Sequence, residues 1–242
     1  MNKLFRGLRG LIKVEEEISL SSQLQSKTFL VVGAQTGAGN EICNCLAEDK
    51  HKLALACDSG KDSLNSLSKD LLDKGATVNI FEFNLGNEEN IKDVVNGAVS
   101  QFDTLDAMIL ALEEPFRGDL SDLEDPTKVI DSVLDANYYT LVYFTYYALP
   151  LLRKSRGKII LLSSFHEPGQ DEGDALYYAS RGATLGFFET LQEEETGISI
   201  LIVHGANTHP QEISRSGSHK PSTSKGDQDV QKSAKLVWTA SR

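Results

Sequence analysis

Cysteine is scarce in this sequence: Cys43, Cys45 and Cys57 are the only three among 242 residues. An odd number without C-x-x-C spacing argues against a disulfide framework. Three thiols also supply fewer ligands than a structural zinc site requires. We therefore expect free thiols in a reducing, intracellular compartment, and no metal centre.

Long hydrophobic runs are missing as well. No apolar stretch reaches the roughly 18–20 residues that a membrane-spanning helix needs, and the nearest candidate, residues 141–152, contains tyrosines and a proline. Basic residues are fewer than acidic ones, 24 against 35, which gives a net charge of −11 at pH 7. Such a chain repels nucleic-acid phosphates, so we expect no nucleic-acid partner.

The N-terminus runs against the overall charge. Residues 1–13 hold four basic side chains and no acidic one, and their apolar residues fall on one helical face. A basic amphipathic start suits a mitochondrial transit peptide, a peripheral membrane helix, a partner-binding helix, or a leader that packs loosely on the domain. We predict a leader and linker over residues 1–26 and leave mitochondrial or membrane-associated placement open.

Short apolar runs alternate with longer helical patterns along the rest of the chain. The predicted strands are 28–32, 52–57, 77–83, 105–111, 158–163 and 198–203. The predicted helices are 40–50, 61–74, 88–101, 129–154 and 175–195. Repeated strand–helix units predict an α/β domain of the Rossmann type, a doubly wound parallel sheet with helices on both faces, over residues 27–208.

The C-terminal part has a different composition. Residues 209–229 are rich in serine, glycine and lysine, which predicts a loop or a disordered segment. Residues 230–242 suit one closing helix that contains Trp238, the single tryptophan. No further strand is predicted after residue 203.

A glycine-rich turn follows the first predicted strand directly, and a helix follows the turn. The turn reads Gly33, Ala34, Gln35, Thr36, Gly37, Ala38 and Gly39. Glycines allow a tight turn and let backbone N–H groups approach a pyrophosphate at a helix N-terminus. In this strand–turn–helix context the pattern predicts a dinucleotide site, although glycines needed only for packing would look alike.

The residue after the second strand bears on the choice of cofactor. A 2′-phosphate requires Arg or Lys near the glycine turn or at the end of this strand. The strand instead ends in Cys57 and Asp58, and the turn carries Gln35 and Thr36. Because an aspartate accepts hydrogen bonds from ribose hydroxyls and repels a phosphate, we expect NAD(H) to be favoured over NADP(H).

A tyrosine with an unusual partner lies later in the chain. Tyr177 is followed four residues on by Arg181, and Ser164 precedes Tyr177 by thirteen residues. With the glycine turn, this spacing resembles the short-chain dehydrogenase/reductase family, which carries Tyr-x-x-x-Lys in place of Tyr-x-x-x-Arg. Residues 105–110, 148–152 and 179–188 look like the 11β-hydroxysteroid dehydrogenase-like branch.

The resemblance implies a role for several residues. In the family a tyrosine transfers the proton, a serine holds the substrate oxygen, and an asparagine on the long helix passes the proton towards water; Tyr177, Ser164 and Asn137 match these positions. Asn84 matches an aspartate beside the adenine, and Ala111 lies in the run after the fourth strand that contacts the cofactor. The implied reaction interconverts a lipophilic alcohol and its ketone.

The chain departs from the family at several of these positions. Arg181 replaces the lysine that binds the ribose and relays the proton, and a guanidinium cannot release a proton at neutral pH. Glu113 replaces a small glycine after the fourth strand; with Glu114 it would repel a pyrophosphate, unless both acids point to solvent, as such pairs usually do. The proline expected after Val203 is absent, and so is the family's seventh strand.

The helix over residues 129–154 is crowded with aromatic side chains. Its tyrosines are Tyr138, Tyr139, Tyr143, Tyr146 and Tyr147. In the family this helix and the one at 175–195 form a four-helix dimer interface, and aromatic enrichment suits an interface. We therefore expect a homodimer or another protein partner at these two helices, although packing on the parent sheet alone would also use aromatic residues.

Three hypotheses on function follow from the sequence. The first is an NAD(H)-type oxidoreductase by descent, with impaired or lost catalysis. The second is a non-catalytic accessory subunit of a larger assembly. The third is a redox sensor that binds NAD(H) without chemistry.

Overall fold

The computed structural model describes residues 26–58, 60–163, 175–204, 234–235 and 237–239. The predicted polar loop at 209–229 lies outside these residues, and so does the predicted leader except for its last residue. No helix in the described part of the chain is long and apolar enough to cross a membrane.

Six parallel strands form one sheet in the order β3-β2-β1-β4-β5-β6. They are β1 Thr28–Val32, β2 Lys52–Cys57, β3 Thr77–Glu82, β4 Ala107–Leu110, β5 Lys158–Ser163 and β6 Ser199–His204. The predicted doubly wound α/β sheet is thereby confirmed. The expected absence of a seventh strand concerns residues that the structure does not describe.

The helices cover both faces of the sheet. They are α1 Gly37–Glu48, α2 Asn65–Asp73, α3 Glu88–Phe102, α4 Pro126–Leu134, α5 Thr140–Ser155 and α6 Ala175–Glu194. Helices α1 and α2 pack on one face, together with Ala234 and Val237. Helices α3, α5 and α6 pack on the other face. Because both faces are covered, β1 and β4 are buried along their whole length, as their uninterrupted apolar runs predict.

The C-terminal residues that the structure describes are helical and pack against α1. Ala234 and Val237 are fully buried in the first core. The Trp238 indole N–H donates to the carboxylate of Asp49, just after α1, at 3.0 Å.

One continuous helical segment, residues 126–155, replaces the predicted helix at 129–154. It begins after Asp125, whose carboxylate accepts the N–H of Lys128 at 3.1 Å. A π-helical turn, Asp135–Tyr139, separates α4 from α5 and carries the fully buried Asn137. Single π turns within α-helices occur frequently at functional sites.

The strand order switches sides at β1: β2 and β3 lie on one side of it, and β4, β5 and β6 lie on the other. Strands β1 and β4 are therefore neighbours, with Val32 opposite Leu110. In open parallel sheets, ligands bind in the crevice outside the carboxyl ends of the strands at such a point. The segments that follow β1 and β4 therefore define where a site is expected. They hold the glycine turn and Glu113, respectively.

Candidate active site

The glycine turn packs directly on the segment after β4. A β-carbon on Gly33, which has a φ of +82°, would lie 2.7 Å from the backbone nitrogen of Leu112. A β-carbon on Gly39 would lie 2.2 Å from the carbonyl oxygen of Gly33. The protein's own backbone therefore requires both glycines, so they do not by themselves demonstrate a phosphate site.

Thr36 connects the turn to α1 and to β4. Its hydroxyl accepts the N–H of Gly39 at 3.0 Å and so caps the helix. The same hydroxyl lies 2.8 Å from the Gly33 carbonyl oxygen and 3.2 Å from that of Ala111. The N-terminus of α1, with Gly37 and Ala38, is thereby held at the crevice.

Replacing Gly39 with alanine is expected to lower the free energy of unfolding by about 1–3 kcal/mol, because the new methyl group meets a backbone oxygen that cannot rotate away. Gly182→Ala is the matched control, since its β-carbon meets nothing within 4 Å and lies within α6. There we expect a gain of up to about 1 kcal/mol from helix propensity. Urea denaturation of wild type and both variants, without any nucleotide, measures the free energy of unfolding. Equal unfolding free energies for wild type and Gly39→Ala would contradict the packing explanation.

The end of the crevice beside β2 contains a contact between two half-buried side chains. The Gln35 amide nitrogen donates to the Asp58 carboxylate, just after β2. Burial raises the pKa of Asp58 above its usual range. Asn84, just after β3, is exposed, and its backbone N–H donates to the Asn90 side chain at 2.7 Å. Asp58 thus contacts the glycine turn through Gln35, and its ribose contact stays a prediction.

Side chains from α6 and from the segment after β4 meet at the other end of the crevice. Tyr177 and Arg181 lie one turn apart on α6, and Glu113 follows shortly after β4. Arg181 Nε lies 3.2 Å from Glu113 Oε1, and the Tyr177 hydroxyl donates to the same oxygen. Only 1% of the Glu113 side chain and 6% of the Arg181 side chain are exposed. We call these three residues, of which Tyr177 is only partly buried, the buried triad.

The expectation that Glu113 points to solvent is therefore wrong. A buried carboxylate needs a partner with opposite charge, because transfer out of water strongly disfavours an isolated ion. Arg181 and Tyr177 provide that partner and a hydrogen bond. The neighbouring Glu114 is only partly buried.

A serine that the sequence analysis did not select completes the contacts of Arg181. The guanidinium nitrogen Nη2 donates at 2.9 Å to the hydroxyl of Ser163, the last residue of β5. Its other terminal nitrogen, Nη1, is buried and has no hydrogen-bond partner among the residues that the structure describes. Ser164, the predicted substrate-binding serine, lies outside the described residues.

The triad keeps the Tyr177 phenol protonated. Burial raises its pKa far above the usual range, and the Glu113 carboxylate raises it further, through its charge and by accepting the phenolic hydrogen. Arg181 acts in the opposite direction, since a cation favours the tyrosinate. The net shift is upward, so the phenol does not ionise at physiological pH.

Asn137 is committed to structural contacts. Its side-chain nitrogen donates to the Glu114 carbonyl at 2.8 Å, and its side-chain oxygen accepts the Glu114 N–H at 2.9 Å. Its backbone carbonyl accepts the Thr184 hydroxyl at 2.6 Å. Asn137 therefore joins the π-helical turn to the segment after β4 and to α6, which fixes the triad's surroundings.

No group of three or more His, Cys, Asp or Glu residues suited to a metal occurs in the part of the chain that the structure covers. The crevice instead combines a glycine turn, a helix N-terminus and a tyrosine–cation pair. With the strand order, these features define a nucleotide-binding fold of the oxidoreductase type.

The chain belongs to the short chain dehydrogenase family, whose model matches residues 27–216. It is 33% identical over 171 residues to "11-beta-hydroxysteroid dehydrogenase-like 2" of Arabidopsis thaliana, an alignment that covers 69% of this chain and 54% of that protein. It thus spans about half the length of the curated relatives that it matches.

Solved structures show the same fold. An alcohol dehydrogenase from the archaeon Thermococcus sibiricus, complexed with 5-hydroxy-NADP, superposes with a TM-score of 0.74 at 18% identity and covers 88% of this chain and 91% of its own. An NADH-dependent reductase complexed with NAD superposes with a TM-score of 0.73 at 22% identity, with coverage of 90% and 89%.

Proposed function

We propose that this protein is an NAD(H)-type oxidoreductase by descent in which proton transfer between a lipophilic alcohol or ketone and the protein is impaired. The observation that supports this proposal is the buried triad. A tyrosine has one hydroxyl hydrogen, and in Tyr177 that hydrogen is held by the Glu113 carboxylate. It is therefore not free to protonate a substrate oxygen.

The tyrosinate form is equally unfavourable. A tyrosinate at Tyr177 would be poorly hydrated because of burial and would lie beside the buried Glu113 carboxylate, and both effects raise the Tyr177 pKa. Raising the pH within the physiological range therefore does not create the base that alcohol oxidation requires. Arg181 does not compensate, since its charge is already paired with Glu113.

Onward proton relay is also weakened. Arg181 has no proton to release near neutral pH, unlike the lysine of the family. The side-chain amide and the carbonyl of Asn137 are engaged with Glu114 and Thr184. The groups that the family uses to pass a proton towards water are thus committed to packing contacts.

A preference for NAD(H) over NADP(H) is part of the proposal. Asp58 offers a carboxylate to a ribose hydroxyl at the end of β2 and repels a 2′-phosphate. The relatives with known ligands include proteins solved with NAD and with an NADP derivative. The choice between these cofactors therefore rests on Asp58.

Initial rates with NADH and a panel of steroid and aliphatic ketones test the impaired catalysis. We expect wild-type rates equal to those without enzyme, because Tyr177 cannot give up its hydrogen. Tyr177→Phe and Tyr178→Phe are measured in parallel. Wild-type turnover that Tyr177→Phe abolishes and Tyr178→Phe retains would overturn the proposal.

The alternative role as an accessory subunit is supported by an exposed aromatic surface. Tyr139 and Tyr146 are 40% and 67% exposed, and both lie on the helical segment 126–155. Beside them, α6 forms part of a groove of about 480 Å³ that Tyr138, Gly186 and Phe187 help to line. We propose that this surface binds a second copy of the chain or another protein.

Gly186→Arg is expected to disrupt such an interface without disturbing the fold, since a β-carbon there meets nothing within 4 Å. Sedimentation velocity of wild type and variant, with thermal unfolding as the control for folding, measures the effect. A lower sedimentation coefficient for the variant at an unchanged Tm is the expected result. Identical monomeric sedimentation of both proteins would contradict self-association through this groove.

A further inference from the structure

The end of the crevice beside β2, where an adenosine would lie, has a buried acceptor that lacks a matching donor. Gln35 donates its amide hydrogen to Asp58, and its oxygen Oε1 is buried with no hydrogen-bond partner among the described residues. Exchanging the two ends of the amide does not resolve this, because Oε1 would then face the carboxylate of Asp58, acceptor against acceptor. A ligand with hydroxyl donors, such as a ribose, would satisfy both side chains.

The middle of the crevice suits a diphosphate. Helix α1 begins at Gly37, and the first N–H groups of a helix have no partner within the helix. The Thr36 hydroxyl accepts the N–H of Gly39. The backbone N–H groups of Gly37 and Ala38 lie at the same helix end. Positive partial charge at this end favours an anion.

The opposite end of the crevice does not fit a nicotinamide riboside. Arg181 stands where the family's lysine binds the nicotinamide ribose, and its Nε and Nη2 are taken by Glu113 and Ser163. The Tyr177 hydroxyl is taken by Glu113 as well. A nicotinamide riboside would reach the Tyr177 hydroxyl or Arg181 Nε only by displacing the buried Glu113 carboxylate, which leaves an uncompensated buried charge. Of the three guanidinium nitrogens, Nη1 alone has no partner among the described residues.

We infer that the crevice binds the ADP-ribosyl part of a dinucleotide and gains no affinity from the nicotinamide. The ligand class is an adenine nucleotide with a diphosphate, and ADP-ribose is its simplest full-length member. This inference rests on the proposed function, because it uses the same triad. It goes further by stating which half of the cofactor the protein recognises.

Isothermal titration calorimetry of the full chain with ADP-ribose and with NADH tests the inference. We expect the two dissociation constants to agree within about threefold, because the shared part of the two ligands supplies the binding. In the double variant Glu113→Gly/Arg181→Lys, which opens the nicotinamide end, we expect NADH to become at least about tenfold tighter than ADP-ribose.

Asp58→Ala is the variant for the adenosine end and is expected to weaken both ligands by about tenfold. Asp62→Ala, an exposed acid nearby, is the matched control and leaves both unchanged. Wild-type NADH at least about tenfold tighter than ADP-ribose overturns the inference, and so does the absence of binding by either ligand at millimolar concentration. The proposed function fails separately, on Tyr177-dependent turnover.

Discussion

The double variant Glu113→Gly/Arg181→Lys is expected to reduce ketones with NADH at least about 100-fold faster than wild type, since general acid–base catalysis typically contributes this much. Removing the Glu113 carboxylate frees the Tyr177 hydrogen and removes the repulsion that disfavours tyrosinate. Lysine at position 181 provides a cation that can exchange its proton and bind a ribose. The decrease in NADH absorbance with a panel of steroid and aliphatic ketones measures the rate.

The single variants show whether the two positions act together. Glu113→Gly alone leaves Arg181 buried without its carboxylate, and Arg181→Lys alone leaves the new lysine paired with Glu113. We therefore expect each single variant to gain much less than the double variant. Adding Tyr177→Phe to the double variant is expected to abolish the gain. A double variant no faster than wild type would show that another feature of the chain limits catalysis.

The sheet could be predicted well because its strands are buried on both faces. Strands β1, β2 and β5 begin and end at the predicted residues, since each is a run of apolar residues bounded by polar or glycine positions. The predicted 105–111 strand is shorter, Ala107–Leu110. Just before it, the Asp106 side chain accepts the Thr28 N–H at 2.7 Å.

The long helix was predicted less accurately at its start and in its interior. The helix begins at Pro126 because Asp125 caps it and a proline suits the first helical position. This signal is present in the sequence, but the prediction at residue 129 relied on helical periodicity, which does not mark the cap. The π-helical turn at Asp135–Tyr139 depends on tertiary contacts of Asn137 and Thr140, which no local pattern encodes.

The positions of the candidate residues follow from the family spacing, but their pairing does not. Glu113 and Arg181 each depart from the family. Taken alone, Glu113 suggests an acid that repels a pyrophosphate, and Arg181 suggests a poor proton relay. Both departures fall at the same end of the crevice and carry opposite charges, so a contact between them could have been inferred. Ser163 carries no such signal, because a serine at a strand end has many uses.

The buried ion pair is also expected to dominate the stability of this region. Arg181→Met removes the cation that lies 3.2 Å from the buried Glu113 carboxylate, and breaking such a pair costs about 3–5 kcal/mol. Glu113→Leu leaves the guanidinium without an anion and is expected to cost a similar amount. The double variant Glu113→Leu/Arg181→Met removes both charges together, so we expect its stability to lie within about 2 kcal/mol of wild type. Urea denaturation of the four proteins measures these differences.

The ion pair between the half-exposed Arg153 and the mostly buried Glu195 is the matched comparison within the same chain. Half of the Arg153 side chain is exposed (52%), so water replaces the lost partner when Glu195→Gln is made. We expect that variant to differ little from wild type. If Arg181→Met were as mild as Glu195→Gln, the charge of Glu113 would have to be neutralised by something other than Arg181. Glu113 would then not be the Arg181-paired carboxylate that accepts the Tyr177 hydrogen. The explanation of the impaired proton transfer and the explanation of the stability would both fail.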